Sequence, residues 1–243
     1  MITILFIGDV VGEPGRTAVK HMLPELKKEH GADFVIVNGE NAAAGRGITP
    51  RLAQELLHAG VDVITTGDHV WDQAELAPWL DSEPRVLRPV NYPQGTPGHG
   101  SVVVETPRGK IAVMQVQGRS FIQPPLENPF LISEAEAKRL REEEGVQVIF
   151  VDMHAETTSE KISTGYNLDG LVSFVGFSSD LNLSIAPRHP NSSKVQMFVN
   201  PMFRRNWVAG VSKLFSHVNP YTGLSLKEDP AVVLVSFLNE QEI

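Results

Sequence analysis

Cysteine is absent from the 243 residues. A disulfide framework, a thiolate metal site and a cysteine nucleophile are thereby excluded. Any bound metal must be held by imidazole, carboxylate or amide oxygen. No stretch approaches the roughly 20 apolar residues that span a bilayer. The N-terminus lacks the basic region, apolar run and cleavage site of a signal peptide, so the expectation is a cytoplasmic chain with no membrane partner. Positive charge is in deficit, with 21 Lys and Arg against 29 Asp and Glu for a formal net charge of −8. That argues against a broad electrostatic footprint for duplex nucleic acid. A small phosphate ligand stays admissible, because bound cations reverse the local field. Internal repeats and low-complexity linkers are absent too. With 42% hydrophobic residues, a single domain over residues 1–243 with a sizeable core is the expected organisation.

What the chain does have is a set of apolar runs ending in polar residues. Phe34–Val37 leads directly into Asn38-Gly-Glu-Asn41, and Ile2–Ile7 into Gly8-Asp9. Val61–Thr66 leads into Gly67-Asp68-His69, and Val146–Val151 into Asp152-Met-His154. In an open α/β sheet the carboxyl ends of the strands form the ligand crevice. One Asp after a strand is ordinarily a turn or cap residue. Four such ends together point to a metal site, and a two-metal site needs one carboxylate placed to bridge. Glu40 is the candidate bridge; Asp9 and Asn41 flank it, and Asp68 and His154 come from later strands.

The elements between these ends follow a β-loop-α pattern, that of a mostly parallel sheet with covering helices. Gly8–Gly15 reads as a loop and Arg16–His30 as an amphipathic helix. Thr49-Pro50 opens a second helix to about Ala59, a cap followed by proline at the first helical position. A short helix is expected over Gln73–Leu80. Gly100–Thr106 and Lys110–Gln117 flank Pro107-Arg-Gly109 as a hairpin, and Gly118–Leu131 reads as a long loop. Ser133-Glu-Ala-Glu136 reads as a capping box opening a helix to about Glu144. Strands are expected at Val172–Val175, Lys194–Asn200 and Ala231–Leu238.

Several motifs together carry a resemblance. They are Phe6-Ile-Gly-Asp-Val-Val-Gly-Glu-Pro-Gly-Arg16, Asn38-Gly-Glu-Asn-Ala42, His69-Val-Trp-Asp72, Arg88-Pro-Val-Asn91, Gly95-Thr-Pro-Gly98, Gln117-Gly-Arg119 and His154-Ala-Glu-Thr-Thr-Ser-Glu-Lys161. In this order, over about residues 1–176, they resemble the bacterial YmdB-like family of calcineurin-like metallophosphoesterases. The resemblance implies a four-layer α/β/β/α sandwich with mixed sheets and a centre of two divalent metal ions, iron or manganese, with magnesium also admissible. The implied activity is phosphodiester hydrolysis, with 2′,3′- and 3′,5′-cyclic nucleotides as substrates, by water that the metals activate.

Carried over by position, Asp9 resembles a ligand of one metal, Glu40 the bridging carboxylate and His154 a ligand of the other. Asn41 resembles a residue facing metal or phosphate. His69 resembles the imidazole that stabilises the phosphoryl group or protonates the leaving oxygen; histidine suits that task because it titrates near neutral pH. The chain departs from the family pattern twice. Gly67-Asp68-His69 has a carboxylate where the family has asparagine. The family's Gly-Thr-His-Thr-His signature falls on Gly176-Phe-Ser-Ser-Asp180, placing Ser178 and Asp180 at two histidine positions. Asp180 can still donate carboxylate oxygen, which makes it a candidate ligand alongside Asp9 and Glu40.

Arg119 is a candidate phosphate contact. His21, His30 and His58 read as surface or packing residues, His99 as a residue that could line the crevice, and His189 and His217 have no useful spacing. Trp71 and Trp79 read as core, with base stacking an option for Trp71. A metal-dependent phosphodiesterase is the leading reading. The competing one is a catalytically weakened relative acting as a nucleotide- or protein-binding regulatory module. Self-association into a homo-oligomer stays open.

Overall fold

A computed structural model of the chain describes residues 2–177. The first apolar runs form a sheet of four parallel strands, β1 (Ile4–Ile7), β2 (Phe34–Asn38), β3 (Val63–Thr65) and β4 (Val86–Leu87), in that spatial order. The helices α1 (Gly12–His30), α2 (Pro50–His58) and α3 (Ala77–Leu80) connect them, with a 3-10 turn at Asp68–Trp71. A second sheet holds β5 (Ser101–Thr106), β6 (Gly109–Gln117), β7 (Val148–His154) and β8 (Phe174–Phe177), again in sequence order. Its first pair is an antiparallel hairpin and the others pair in parallel. Helices α4 (Pro129–Glu142) and α5 (Thr158–Asn167) belong to this half.

Side-chain alternation along the strands sorts the core into three layers. Leu5, Val35, Val37 and Ile64 pack with Val19, Leu23, Leu52 and Leu56 of the helices. Met114, Val116, Val151 and Met153 pack with Ala137, Leu140 and Leu168 on the far side. Ile4, Phe34, Ile36, Val63, Ile111, Val113 and Phe150 fill the space between the sheets. Helices, sheet, sheet and helices therefore stack as an α/β/β/α sandwich, the metallophosphoesterase-like architecture that the motifs imply. Among the described residues the first sheet is wholly parallel and only the second is mixed. No helix among them is long and apolar enough to cross a membrane.

Local signals placed several elements correctly. Thr49 caps α2, its side chain accepting from Leu52 N at 3.3 Å, and Pro107-Arg108 turns the β5–β6 hairpin. Other boundaries differ. Helix α1 begins at Gly12, inside the expected loop; Gly12 turns the chain into it with φ +56°, its N–H reaching Asn41 O at 2.9 Å. Pro14 is harmless there, since first-turn residues need no backbone donor. Helix α4 starts at Pro129, where Asn128 accepts from Phe130 N at 3.0 Å, and not at Ser133, which is buried within the helix. The expected helix over Gln73–Leu80 is shortened to Ala77–Leu80. Strand β7 continues through Asp152 to His154, held by full pairing with β6 as far as Gln117. The strands expected at 194–200 and 231–238 lie outside the described residues.

Candidate metal centre

The layer between the sheets changes character along the strands. On β7 it runs Val148, Phe150, Asp152, His154; on β6, Ile111, Val113, Gln115, Gln117. On β2 the same face passes from Phe34 and Ile36 to Asn38, and on β3 from Val63 to Thr65. Apolar packing thus gives way to polar groups toward the C-terminal strand ends of both sheets. Asp152 ties the sheets together there. Its Oδ2 accepts from Asn38 Nδ2 at 3.1 Å and from the Thr65 hydroxyl. Asn38 Nδ2 also donates to Thr66 O at 2.9 Å, and its Oδ1 accepts from Glu40 N at 3.2 Å. The strand tip that carries Glu40 is therefore braced from below.

Above this brace lie Glu40, Asp68 and His154. His154 Nδ1 is 3.2 Å from Glu40 Oε1, and its Nε2 is 2.7 Å from Asp68 Oδ1. One potential ligand atom from each of the three lies within 4.8 Å of the others. Gly67 is required by space: a Cβ there would fall 1.8 Å from Glu40 Oε2 and 2.8 Å from His154 Cε1. Asp9 is buried beside them, its Oδ1 accepting from Asn41 Nδ2 at 2.8 Å. Asp9 adopts φ +40°, a conformation that side-chain-bearing residues seldom take, and such strain concentrates at functional sites.

Three carboxylates, those of Glu40, Asp68 and Asp152, face one imidazole, and Asp9 lies beside Glu40. Burial raises the Glu40 pKa well above its ordinary value; the His154 charge opposes this, and Asp9, Asp68 and Asp152 add to it. Burial alone would lower His154, but the Glu40 and Asp68 carboxylates outweigh it and raise the imidazole to about 9. Burial would likewise raise Asp68, yet the hydrogen bond and charge of His154 hold it below its ordinary value. Neither Glu40 carboxylate oxygen has a hydrogen-bond partner among the described residues, although the side chain is fully buried. Its Oε1 faces the His154 imidazole at 3.2 Å, but a buried carboxylate with no hydrogen bond is costly, and a cation relieves that cost. The carboxylate and imidazole donor set fits manganese, iron or magnesium, so the residues present can hold a divalent metal.

Of the other sequence candidates, His69 follows Asp68 directly, and its Nδ1 is 3.0 Å from Asp72 Oδ2, which also pairs with Arg46 Nε at 3.0 Å. Asn41 is fully buried beside Asp9. Arg119 is exposed, and its backbone N–H is anchored by Glu160 Oε1 at 2.8 Å. His99 is exposed, and its carbonyl accepts from Arg88 N at 3.0 Å beside β4. His21, His30 and His58 are exposed. Trp71 and Trp79 pack partly buried on the first core layer, Trp71 edge-on to Tyr92 with centroids 5.6 Å apart. Ser178, Asp180, His189 and His217 lie outside the described residues. Sequence reasoning gave no role to Asp152 or Gln117; their alternation with His154 and Val113 was the available signal.

Residues 5–178 match the family model described as YmdB-like protein. A 2′,3′-cyclic-nucleotide 2′-phosphodiesterase of Bacillus subtilis (strain 168) is 47% identical over 177 residues, which cover 71% of this chain and 64% of that protein. A solved structure of a hypothetical protein from Thermus thermophilus has a TM-score of 0.66 at 43% identity, covering 77% of this chain and 71% of that one. That of a novel phosphatase from Mycoplasma pneumoniae has a TM-score of 0.67 at 34% identity, covering 76% and 68%. The chain spans a little under two thirds of the length of the curated relatives it matches. By the extent of the family match and the shared fold, the chain belongs to the YmdB-like protein family.

Proposed function

We propose that the chain is a metal-dependent phosphodiesterase that hydrolyses small phosphodiesters, with 2′,3′- or 3′,5′-cyclic nucleotides as the substrate class. The observation that carries this reading is the Glu40–Asp68–His154 cluster, with Glu40 and His154 buried and the Glu40 carboxylate taking no hydrogen bond among the described residues. The named activity of the Bacillus subtilis relative supports it.

In this reading Glu40 would serve two divalent ions, iron or manganese with magnesium as a third option; Asp9, Asn41 and Asp180 would help hold one, and Asp68 and His154 the other. Such ions, when bound, neutralise phosphate charge and lower the pKa of water. The remaining chemistry falls to side chains. His69, oriented by Asp72 at 3.0 Å, delivers a proton to the leaving oxygen. Asn41 orients Asp9 through its amide and faces the phosphate; Arg119 meets the anionic substrate from the rim. The work is done in the cytoplasm, without duplex nucleic acid or membrane.

A nucleotide- or protein-binding module of weakened activity is the second reading, favoured by Ser178 and Asp180 at the two histidine positions of the motif. Metal analysis of protein purified without chelator, with hydrolysis of 2′,3′-cyclic AMP, separates the two. Two equivalents of metal per chain and turnover support the enzyme; nucleotide binding without metal or turnover supports the module. A metal titration of Asp180→Ala tests that ligand, and uptake identical to the parent removes it from the set.

A further inference from the structure

Two glutamines on β6, Gln115 and Gln117, are fully buried, and neither amide has a hydrogen-bond partner among the described residues. Native interiors leave few polar groups in that state. The other buried side-chain amides among the described residues are not left so: Asn41 donates to Asp9. Asn38 is bonded to Thr66, Asp152 and Glu40, and Asn91 to Gln117 and Glu127. Both glutamines follow Ile111 and Val113 on the face between the sheets. The parallel register places Gln117 opposite His154 and Gln115 opposite Asp152. Residues at one register position of adjacent strands project to the same side, so the Gln117 amide lies beside the metal-cluster imidazole.

Its root is held firmly. Asn91 accepts from Gln117 N at 3.0 Å and donates to Gln117 O at 2.8 Å, while Gly118 N donates to His154 O at 2.7 Å. A side chain on so firmly held a backbone, with neither end of its amide bonded among the described residues, suits a partner that is not protein. The cluster around it is rich in carboxylate acceptors. An incoming phosphodiester brings more acceptors, and a neutral N–H donor meets them without adding charge.

We propose that Gln117 holds an oxygen beside His154, the phosphoryl oxygen of the substrate or the water that attacks it. The proposal rests on the phosphodiesterase reading. Its test is calorimetric titration of inorganic phosphate into the manganese-loaded parent, Gln117→Met and Gln117→Glu, with metal content, thermal unfolding and turnover measured in parallel. Methionine keeps the length and removes the amide; glutamate keeps the shape, removes the donor and adds a negative charge. The expected result is unchanged metal content, an unfolding temperature for Gln117→Met at or above the parent's, and phosphate affinity lower by on the order of tenfold or more in both variants. Unchanged phosphate affinity with kcat lower by a similar factor assigns the oxygen to water. Variants that match the parent in both phosphate affinity and kcat overturn the proposal alone. A parent that takes up no metal overturns the phosphodiesterase reading and this proposal with it. If Gln117→Met does not fold, Gln117→Leu, which also removes the amide without adding charge, decides the matter on the same readouts.

Discussion

His154 Nε2 lies 2.7 Å from Asp68 Oδ1, joining the last residue of β7 to a residue just beyond β3, 86 positions earlier in the chain. The other ring nitrogen faces Glu40 at the tip of β2. One imidazole thus spans both sheets, and the candidate metal centre exists only where the sheets are packed.

That closeness leaves no room at Gly67. Gly67→Ala would put a methyl carbon 1.8 Å from Glu40 Oε2, so the carboxylate must move. Metal affinity is expected to fall at least about tenfold, and overpacking to cost about 1–3 kcal/mol. Metal content and thermal unfolding check both. An alanine variant that loads metal like the parent would show that Glu40 does not need this position.

Metal uptake should release protons. In the metal-free cluster the His154 pKa is raised to about 9 and Glu40 is raised as well, so the folded chain binds more protons than the unfolded one over this range. Stability of the metal-free form therefore falls as pH rises, for His154 from its unfolded value of about 6.5 through about 9. Apparent metal affinity rises over the same window, because the cation competes with those protons. Calorimetry in buffers of different ionisation enthalpy measures the release. Uptake at pH 7 without proton release would contradict the paired imidazole.

His69 should separate catalysis from metal binding. His69→Asn is expected to lower turnover by ~10²–10⁴-fold, the usual contribution of general acid–base catalysis, with metal content intact. Loss of metal along with activity would make His69 a ligand instead.

Phe150 tests the packing beneath the site. It lies between the sheets, 5% exposed, with its ring centroid 5.0 Å from that of Phe6. Phe150→Ala should cost about 3–5 kcal/mol, read by denaturant unfolding. A loss below about 1 kcal/mol would mean that the sheets close over the gap.

Much of the architecture was legible locally. Thr49-Pro50 announced α2, the Pro107–Gly109 turn announced the hairpin, and apolar runs ending in Asp9, Glu40 and Asp68 announced strands with a polar crevice at their tips. The two-residue strand β4 left no such trace. Val86 and Leu87 are too few to show a period, and they are a strand only because β3 pairs with them. The expected strand stopped at Val151 for a related reason: polar residues end an apolar pattern, and only pairing with β6 as far as Gln117 keeps the chain extended to His154.

The sequence by itself determined which strand tips end in carboxylate, amide and imidazole groups, because alternation and turn chemistry act over a few neighbouring positions. Only the tertiary structure decided that Glu40, Asp68 and His154 meet at one point, that Asp152 braces the Glu40 strand through Asn38 and Thr65, and that Gln117 pairs in register with His154. Those relationships cross from one sheet to the other between residues as much as 114 positions apart. The burial that raises Glu40 and the carboxylates that raise His154 arise only when the two sheets close on each other.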